Sequence, residues 1–586
     1  MPRTKNQWFN MGAAVLLVTA TACTTPSPSR PGVDAGAGGA ATEGGGGPTE
    51  PGAGSGAEGG AEPGPLGAWC LATSDCTTCP PAETASRLMA ADACGRRPHL
   101  EGDGQRNGDE CCYEGARAAC DLGARAVVEV ASMDALEEAL DEALPGTEIV
   151  VRDGTYTGRW TLRAQGEETA PVLVRAETPG GVVLTGASSR LEITGSRWLI
   201  LEGFHLRDLH DGDNALVVRA SSDCIVRHTL FENTDPDARR QKSFVRILDT
   251  SKRNTLEHAA FVGTTDWAVQ IWGYIEKDGP DTDNTDNVVR FCHFVDADVK
   301  NGNSELLQVG QGGADDIEYR ALIENNLFER SRGTSELISN KTSGNVYRNN
   351  TFRDVDDRFT LRGGEHCTIE GNWFFQSSGL RIHGSHHRVL NNYFEGYHPA
   401  EPDEGGLTLR AGNRRTGEAS GSHDAADHVL IAHNTFFNAA SSGYAAMTLG
   451  DKFGSGTFDV APEGLNVVGN VIQVDEGVAL DDRSSLGTLF ADNVVWTTDG
   501  ATAGANPSGV AVDDPAFEAT AMGYRQPTAS HLERSGDAPA RDIHGAQRPS
   551  AKRLGADQMT CVAAGFGPLT AAEVGPSWWT TSSSGG

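Results

Sequence analysis

RNNTFRD (348–354), GNWFFQ (371–376), NNYFEG (391–396) and HNTFFNA (433–439) are one phrase written four times: a polar corner bearing Asn or His, a spacer, then Phe. Earlier versions are HTLFEN with Phe231, HAAFVG with Phe261, CHFVDA with Phe294 and ENNLFER with Phe328. The intervals run in the twenties with several longer ones, and self-similarity at such a period marks a repeat architecture. Each unit also carries a second β-rich phrase, as in FVRILDT about Ile247, AVQIWGY about Ile271, LLQVGQG about Val309, ELISNK about Ile338, FTLRGG about Leu361, LRIHGS about Ile382 and LTLRAG about Leu409. Apolar and polar residues alternate in these phrases, as in strands with one buried face. Short strands, Asn and Gly corners and almost no helical periodicity predict an all-β fold, a single-stranded right-handed parallel β-helix with Phe and Asn ladders inside the coil. A propeller would need longer repeats of four strands each.

In a solenoid, outward side chains of successive coils lie side by side. Aligning the second phrase puts Arg362, His383 and Arg410 in one outward column, with Trp272 further along it. Arg246, Gln270, Gln308, Thr360 and Arg381 fall in the neighbouring column. Cations beside an exposed indole suit a sugar-acid polymer, because cations pair with carboxylates and an indole stacks on a pyranose. A one-residue slip of register would invert the assignment.

The rest of the chain frames this repeat. With 80 acidic and 48 basic residues in 586, the formal charge is −32, which opposes nonspecific binding to nucleic acid and requires a locally basic cleft for any polyanion. Residues 1–23 read as a signal segment: Arg3 and Lys5 precede an apolar run from Met11 to Ala20, too short to span a bilayer. Ala20-Thr21-Ala22-Cys23 resembles a bacterial lipoprotein box, with Cys23 as the lipidation site; ordinary secretory cleavage is the alternative. Either reading exports the protein, with membrane contact only through a lipid on Cys23 and a monomer expected. Residues 24–66, rich in Gly, Ala and Pro, read as a disordered linker. Residues 67–123 hold seven cysteines and read as a disulfide module, although Cys76 and Cys79 also have a zinc-like spacing. The β-helix is expected over 124–560, opened by a helical cap from Met133 to Leu144, and 561–586 as a C-terminal tail.

SELISNKTSGNVYRNNTF (335–352), FTLRGG (359–364) and SGLRIHGSHHRVLNNYFEG (378–396) resemble the polysaccharide lyase family that contains chondroitinase B and many alginate lyases. PGTEIVVRDGTYTG (145–158) and AETPGGVVLTG (176–186) are similar to that family's first coils, and the resemblance covers about Ala124 to Gln558. It implies β-elimination on a uronate polymer, with alginate first and dermatan or chondroitin sulfate as alternatives. By position it implies Lys341 as general base and Arg362 as catalytic arginine. The chemistry needs such groups: a proton α to a carboxylate is removed only if that carboxylate is neutralised.

The family often supplies that neutralisation with Ca2+. The resemblance implies Glu336 as one ligand, with Asn303 and Glu305 nearby, but Thr334 stands where a second glutamate is usual. A weakened calcium site and a replacement cation such as Arg381 are both open. Gly363 stands where many relatives have His, which is expected to leave room in the cleft. Arg381, His383, His387, Arg410 and Trp272 are the expected substrate-binding residues, His387 with the alternative of a buried turn histidine. A polygalacturonase-like hydrolase would need close acidic groups, for which Asp356 and Asp357 are the nearest candidates, and a noncatalytic polysaccharide-binding lipoprotein would not need both Lys341 and Arg362.

Overall fold

The computed structural model describes residues 126–580, apart from 211–213, 236–241, 273–274, 277–278, 281–283, 300–303, 335, 419–422, 439–442, 484, 499, 505–507, 535–537 and 559–565. Cys23, the linker, the cysteine-rich stretch and Asn303 therefore lie outside the described residues.

Each coil adds one short strand to each of three parallel sheets. The first runs from Val127–Val130 to Leu489–Ala491 in 14 strands, the second from Gly154–Tyr156 to Val510–Val512 in 14, and the third from Arg159–Leu162 to Thr502–Gly504 in 13. The architecture is the parallel β-helix read from the repeat. Phe residues of the first phrase occupy the second sheet and face inward, stacking from Phe231 through Phe261, Phe294, Phe328, Phe352, Phe374 and Phe394 to Phe436 with centroids 4.5–5.0 Å apart. That spacing is the rise of one hydrogen-bonded strand, so the rings stack because the backbones do.

The Asn of each phrase explains how the corner is turned. Asn325, Asn349, Asn391, His433 and Asp492 sit at φ of 53–55°, a left-handed conformation that Asn, Asp and His tolerate better than most residues. The residue after each is a fully buried Asn. Asn326, Asn350, Asn372, Asn392, Asn434, Asn470 and Asn493 form a ladder in which each side-chain NH2 donates to the next side-chain oxygen at 2.9–3.0 Å. The same oxygen accepts a backbone N–H, as Asn372 does from Asn350, and the NH2 also donates to a carbonyl, as Asn372 does to Tyr347. Every polar atom is thus satisfied without water.

The expected helix spans Met133–Asp141, with the Ser132 hydroxyl accepting the Ala135 N–H at 3.2 Å, and buries Leu136, Ala139 and Leu140. It stops short of Leu144 because Pro145 disfavours helical backbone in the residue before it. Part of the expected C-terminal tail is seated on the solenoid: Leu569 N–H donates to Thr351 Oγ1, Gly575 N–H to the Phe291 carbonyl and Trp578 Nε1–H to the His228 carbonyl. These contacts fall on progressively earlier coils, so the segment runs back along the stack.

Asn372→Ala is expected to lower stability by about 2–5 kcal/mol, because it strands the buried side chains of Asn350 and Asn392. Urea unfolding measures this; a loss below half a kcal/mol would show that the ladder is not a significant source of stability.

Candidate active site

The third sheet carries the site, and its register agrees with the sequence alignment. Arg246 pairs with Gln270, Gln270 with Gln308, Gln308 with Ser339, Ser339 with Thr360 and Thr360 with Arg381. One residue past the inward Val309, Asn340, Leu361 and Ile382, the ladder continues: Lys341 N–H donates to the Val309 carbonyl, Arg362 N–H to Asn340 and His383 N–H to Leu361, each at 2.8 Å. Lys341 and Arg362 therefore sit on adjacent coils in one column, with Arg381 beside them in the other.

Glu336 ties the two columns together. Its carboxylate is 1% exposed and accepts from Arg362 at 2.9 Å and Arg381 at 2.5 Å through Oε1, and from the Ser339 hydroxyl at 2.5 Å through Oε2. Burial alone would raise its pKa, but Arg381 first and then Arg362 hold it below the usual carboxylate range. Arg381 is itself buried, which lowers its pKa to about 10 against the opposing pull of Glu336. Arg362 keeps 44% of its side chain exposed and is the accessible cation of the pair. Lys341 donates to Glu305 Oε1 at 2.8 Å, while Glu305 Oε2 accepts from the Trp267 indole at 2.9 Å.

This arrangement shows what the described residues of the expected metal site do in the fold. Both oxygens of Glu336 are taken by arginines and a hydroxyl, and Glu305 is the partner of Lys341 rather than an open ligand. Thr334 uses its hydroxyl to accept the Glu336 N–H at 2.9 Å. Among the described residues no three His, Cys, Asp or Glu side chains gather around a point. Calcium takes six to eight oxygens, and the two described carboxylates, Glu305 and Glu336, already have cationic partners.

Four expected substrate contacts are placed as follows. His387 is fully buried; its Nδ1 accepts the Cys367 N–H at 3.1 Å and its Nε2 donates to the His383 carbonyl at 3.0 Å. It does for Cys367 what Asn345 does for Ala321 and Asn254 for Cys224, and burial lowers its pKa to about 3, so it is a neutral turn residue. His383 is 3% exposed, with Nδ1 against the Asp424 carbonyl. Arg410 is 8% exposed and donates to Glu404 at 2.8 Å. Trp272 is half-buried, with the Arg246 guanidinium 4.3 Å over its ring. Nor is there room at Gly363: a Cβ there would lie 2.2 Å from the Asp315 carboxylate.

Sequence reading missed the buried relay behind the site. Glu404 accepts from Arg358 at 2.6 Å and from Arg410, and lies 3.8 Å from Arg381. Asp451 lies 3.1 Å from Arg410 Nε, although without hydrogen-bond geometry. Lys341, Arg358, Arg362, Arg381 and Arg410 are matched by Glu305, Glu336, Glu401, Glu404 and Asp451, so cations are gathered here in a chain of net charge −32 although each is paired. The available signal was the interval from Phe394 to Phe436, the longest between phrases, since insertions in a solenoid map to loops. The acidic pair offered for a hydrolase is split: Asp357 is buried against Ser331 and Thr334, while Asp356 points outward toward His398.

Comparison with known proteins agrees with this fold. The alginate lyase AlyGC of polysaccharide lyase family 6 superposes with a TM-score of 0.64 at 23% identity, covering 78% of this chain and 59% of its own. A mannuronic acid specific family 6 lyase from human gut microbiota gives 0.53 at 22% identity, covering 64% of this chain and 87% of its own. The family 6 lyase Pedsa3628 from Pseudopedobacter saltans gives 0.51 at 20%, covering 63% and 92%. This chain thus spans 59% of the length of AlyGC. No curated protein matches it. The chondroitinase B family matches residues 130–479, more than half of the sequence, and the chain belongs to that family.

Proposed function

We propose that this protein is a polysaccharide lyase that cleaves a uronate-containing polymer, alginate, by β-elimination. One observation carries the reading: Lys341, paired with Glu305, and an exposed Arg362 stand on adjacent coils, and buried Glu336 joins Arg362 to Arg381 behind it. Alginate is favoured because the solved structures that share this fold include alginate lyases. Export, as read from the N-terminal segment, puts the enzyme where such a polymer is found.

The reaction breaks the C5–H and C4–O4 bonds of a uronate and forms a C4–C5 double bond. Arg362, with Arg381 behind it, faces the substrate carboxylate and stabilises the charge that develops as C5 loses its proton. Lys341 takes that proton. As base Lys341 acts in its neutral form, reached by loss of a proton to solvent, while Glu305 holds its amine in place. The departing O4 takes a proton from a water that is itself reprotonated by the Lys341 ammonium, so the C5 proton ends on O4 and the base is restored; a guanidinium holds its protons too strongly to be a ready acid. No step in this scheme uses a metal.

Lys341→Ala and Arg362→Ala are each expected to lower the rate at which unsaturated product appears on alginate by roughly 100-fold or more, measured by ultraviolet absorbance. Chelator is expected to leave the wild-type rate unchanged. Activity on none of alginate, polymannuronate, polyguluronate or the chondroitin and dermatan sulfates, with binding retained, would sink the enzymatic reading in favour of a polysaccharide-binding protein.

Arg381→Ala removes a buried partner of Glu336 and is expected to cost about 3–5 kcal/mol of stability. The sign of the pH effect follows from the lowered Glu336 pKa. Its contribution is present above the unfolded carboxylate value and is lost as pH falls through the lower folded one. The deficit of Arg381→Ala relative to wild type should therefore shrink in acid. Urea unfolding across that range checks it, and a deficit constant with pH would refute the assignment.

A further inference from the structure

The outward column that holds Lys341 and Arg362 does not run on as an open groove. Two coils' worth of it, His383 and Arg410, is roofed. The roof comes from the chain that follows Arg410. Gly412 pairs with Val460 through reciprocal backbone hydrogen bonds of 2.8 and 3.0 Å, and Asn413 N–H donates to the His423 carbonyl at 2.9 Å while its side chain accepts the His423 N–H at 3.1 Å. The loop is therefore closed on itself and carries its own hydrogen bonds. It sets the His423 ring 5.6 Å from the His383 ring and 5.4 Å from Phe458, whose face lies 5.6 Å from the Arg410 guanidinium.

A second loop meets this roof from the opposite direction. It leaves the third sheet after Val309, one coil before Lys341, and carries Asp315. Ser343, in the turn of the Lys341 coil, donates its hydroxyl to the Asp315 carbonyl at 2.5 Å. The Asp315 carboxylate reaches Arg414 at 3.0 Å, joining residues 99 apart in sequence across the coils of Lys341, Arg362 and His383. Arg414 is held in turn by Asp424. The bridge passes over Gly363, the residue after Arg362, so closely that any side chain there would meet the Asp315 carboxylate. Outside the bridge, Asp316 is exposed and Glu318 pairs with the exposed Arg320 at 3.5 Å.

We propose that the Asp315–Arg414 bridge, with the roof that bears His423, is the end wall of the cleft, and that it determines product length by limiting how many uronate units lie beyond the scission point. The proposal rests on the lyase reading above. Gly363 is then the residue that admits the wall, and Asp315 and Arg414 are specificity-determining residues that do not take part in proton transfer. A uronate chain enters from the open side at Lys341, its end is stopped by the wall, and the enzyme releases short oligomers of narrow size from the first turnovers.

The test is to size the products of alginate digestion over time for wild type, Arg414→Ala, Arg414→Lys, Asp315→Asn and Gly363→Ala. Wild type is expected to yield one narrow class of short products from the outset. Arg414→Ala and Gly363→Ala should release several-fold more long oligomers early, while Arg414→Lys, which keeps a cation on Asp315, should retain the wild-type pattern. Should Arg414→Ala fail to fold, the near-isosteric Asp315→Asn carries the same expectation in weaker form. Product size is a readout that a mere loss of folded enzyme does not move. Active variants with unchanged products, or a wild type that cleaves at random along the chain, would overturn the wall while leaving the lyase reading intact. A wild type inert on every uronate polymer would overturn the lyase reading itself.

Discussion

Coil-to-coil hydrogen bonding sets the distance between every pair of stacked residues, at the spacing of neighbouring strands, and the buried ladders stop that stack from slipping. A parallel sheet has no tight hairpin to pin its register. Here the pinning is done at the corners, where each ladder Asn bonds both the Asn of the next coil and the backbone around it. A shift by one residue would bury a backbone N–H without a partner and turn the outward column inward, so its cost is large and its consequence is chemical. Lys341 and Arg362 meet because Asn345, Asn350 and Asn372 are where they are.

On that frame the site gathers charge that would be expensive elsewhere. Glu336, Glu404 and Arg381 are all nearly inaccessible, and each alone would pay heavily for leaving water. They persist because the solenoid supplies opposite charge at fixed spacing from neighbouring coils, so that Glu336 has two arginines and Glu404 has Arg358 and Arg410. Arg362 alone reaches out from this network to a substantial extent. Its partner Glu336 fixes its direction, which is the preorganisation that electrostatic stabilisation of a developing charge requires.

Much of the fold was legible because β-helix periodicity is written in single residues. The Phe and Asn positions identify the inside of the coil, and alternation in LRIHGS or FTLRGG then identifies the outward columns, whose pairing of Thr360 with Arg381 the structure reproduces. What could not be read was burial that depends on loops. His383 and Arg410 lie in the outward column yet are covered, because residues inserted after Arg410 fold back over them. His387 was ambiguous for the opposite reason: its position is a corner, where an imidazole mimics the Asn of other coils by accepting a backbone N–H. Gly363 suggested space, when a carboxylate from another loop fills it. Register is local to the repeat, whereas loop contacts such as Asp315 with Arg414 join segments with no periodic relation.

This division between repeat and insertion bears on how such a scaffold acquires a new specificity. The column that holds Lys341 and Arg362 cannot be altered without disturbing strands that pair on both sides, so chemistry is tied to the core. The loops after Val309 and Arg410 are free of that constraint. Parts of them are anchored in the core through Ala314, Ile317 and Ala426, but the Asp315–Arg414 contact that joins them lies outside the strand ladder. Thr334 takes the place of a carboxylate and becomes a hydrogen-bond acceptor for Glu336, while Arg381, from the next column, supplies positive charge to the same carboxylate. Charge at the site is held by neighbours on the lattice of coils, and the lattice is what makes those neighbours predictable.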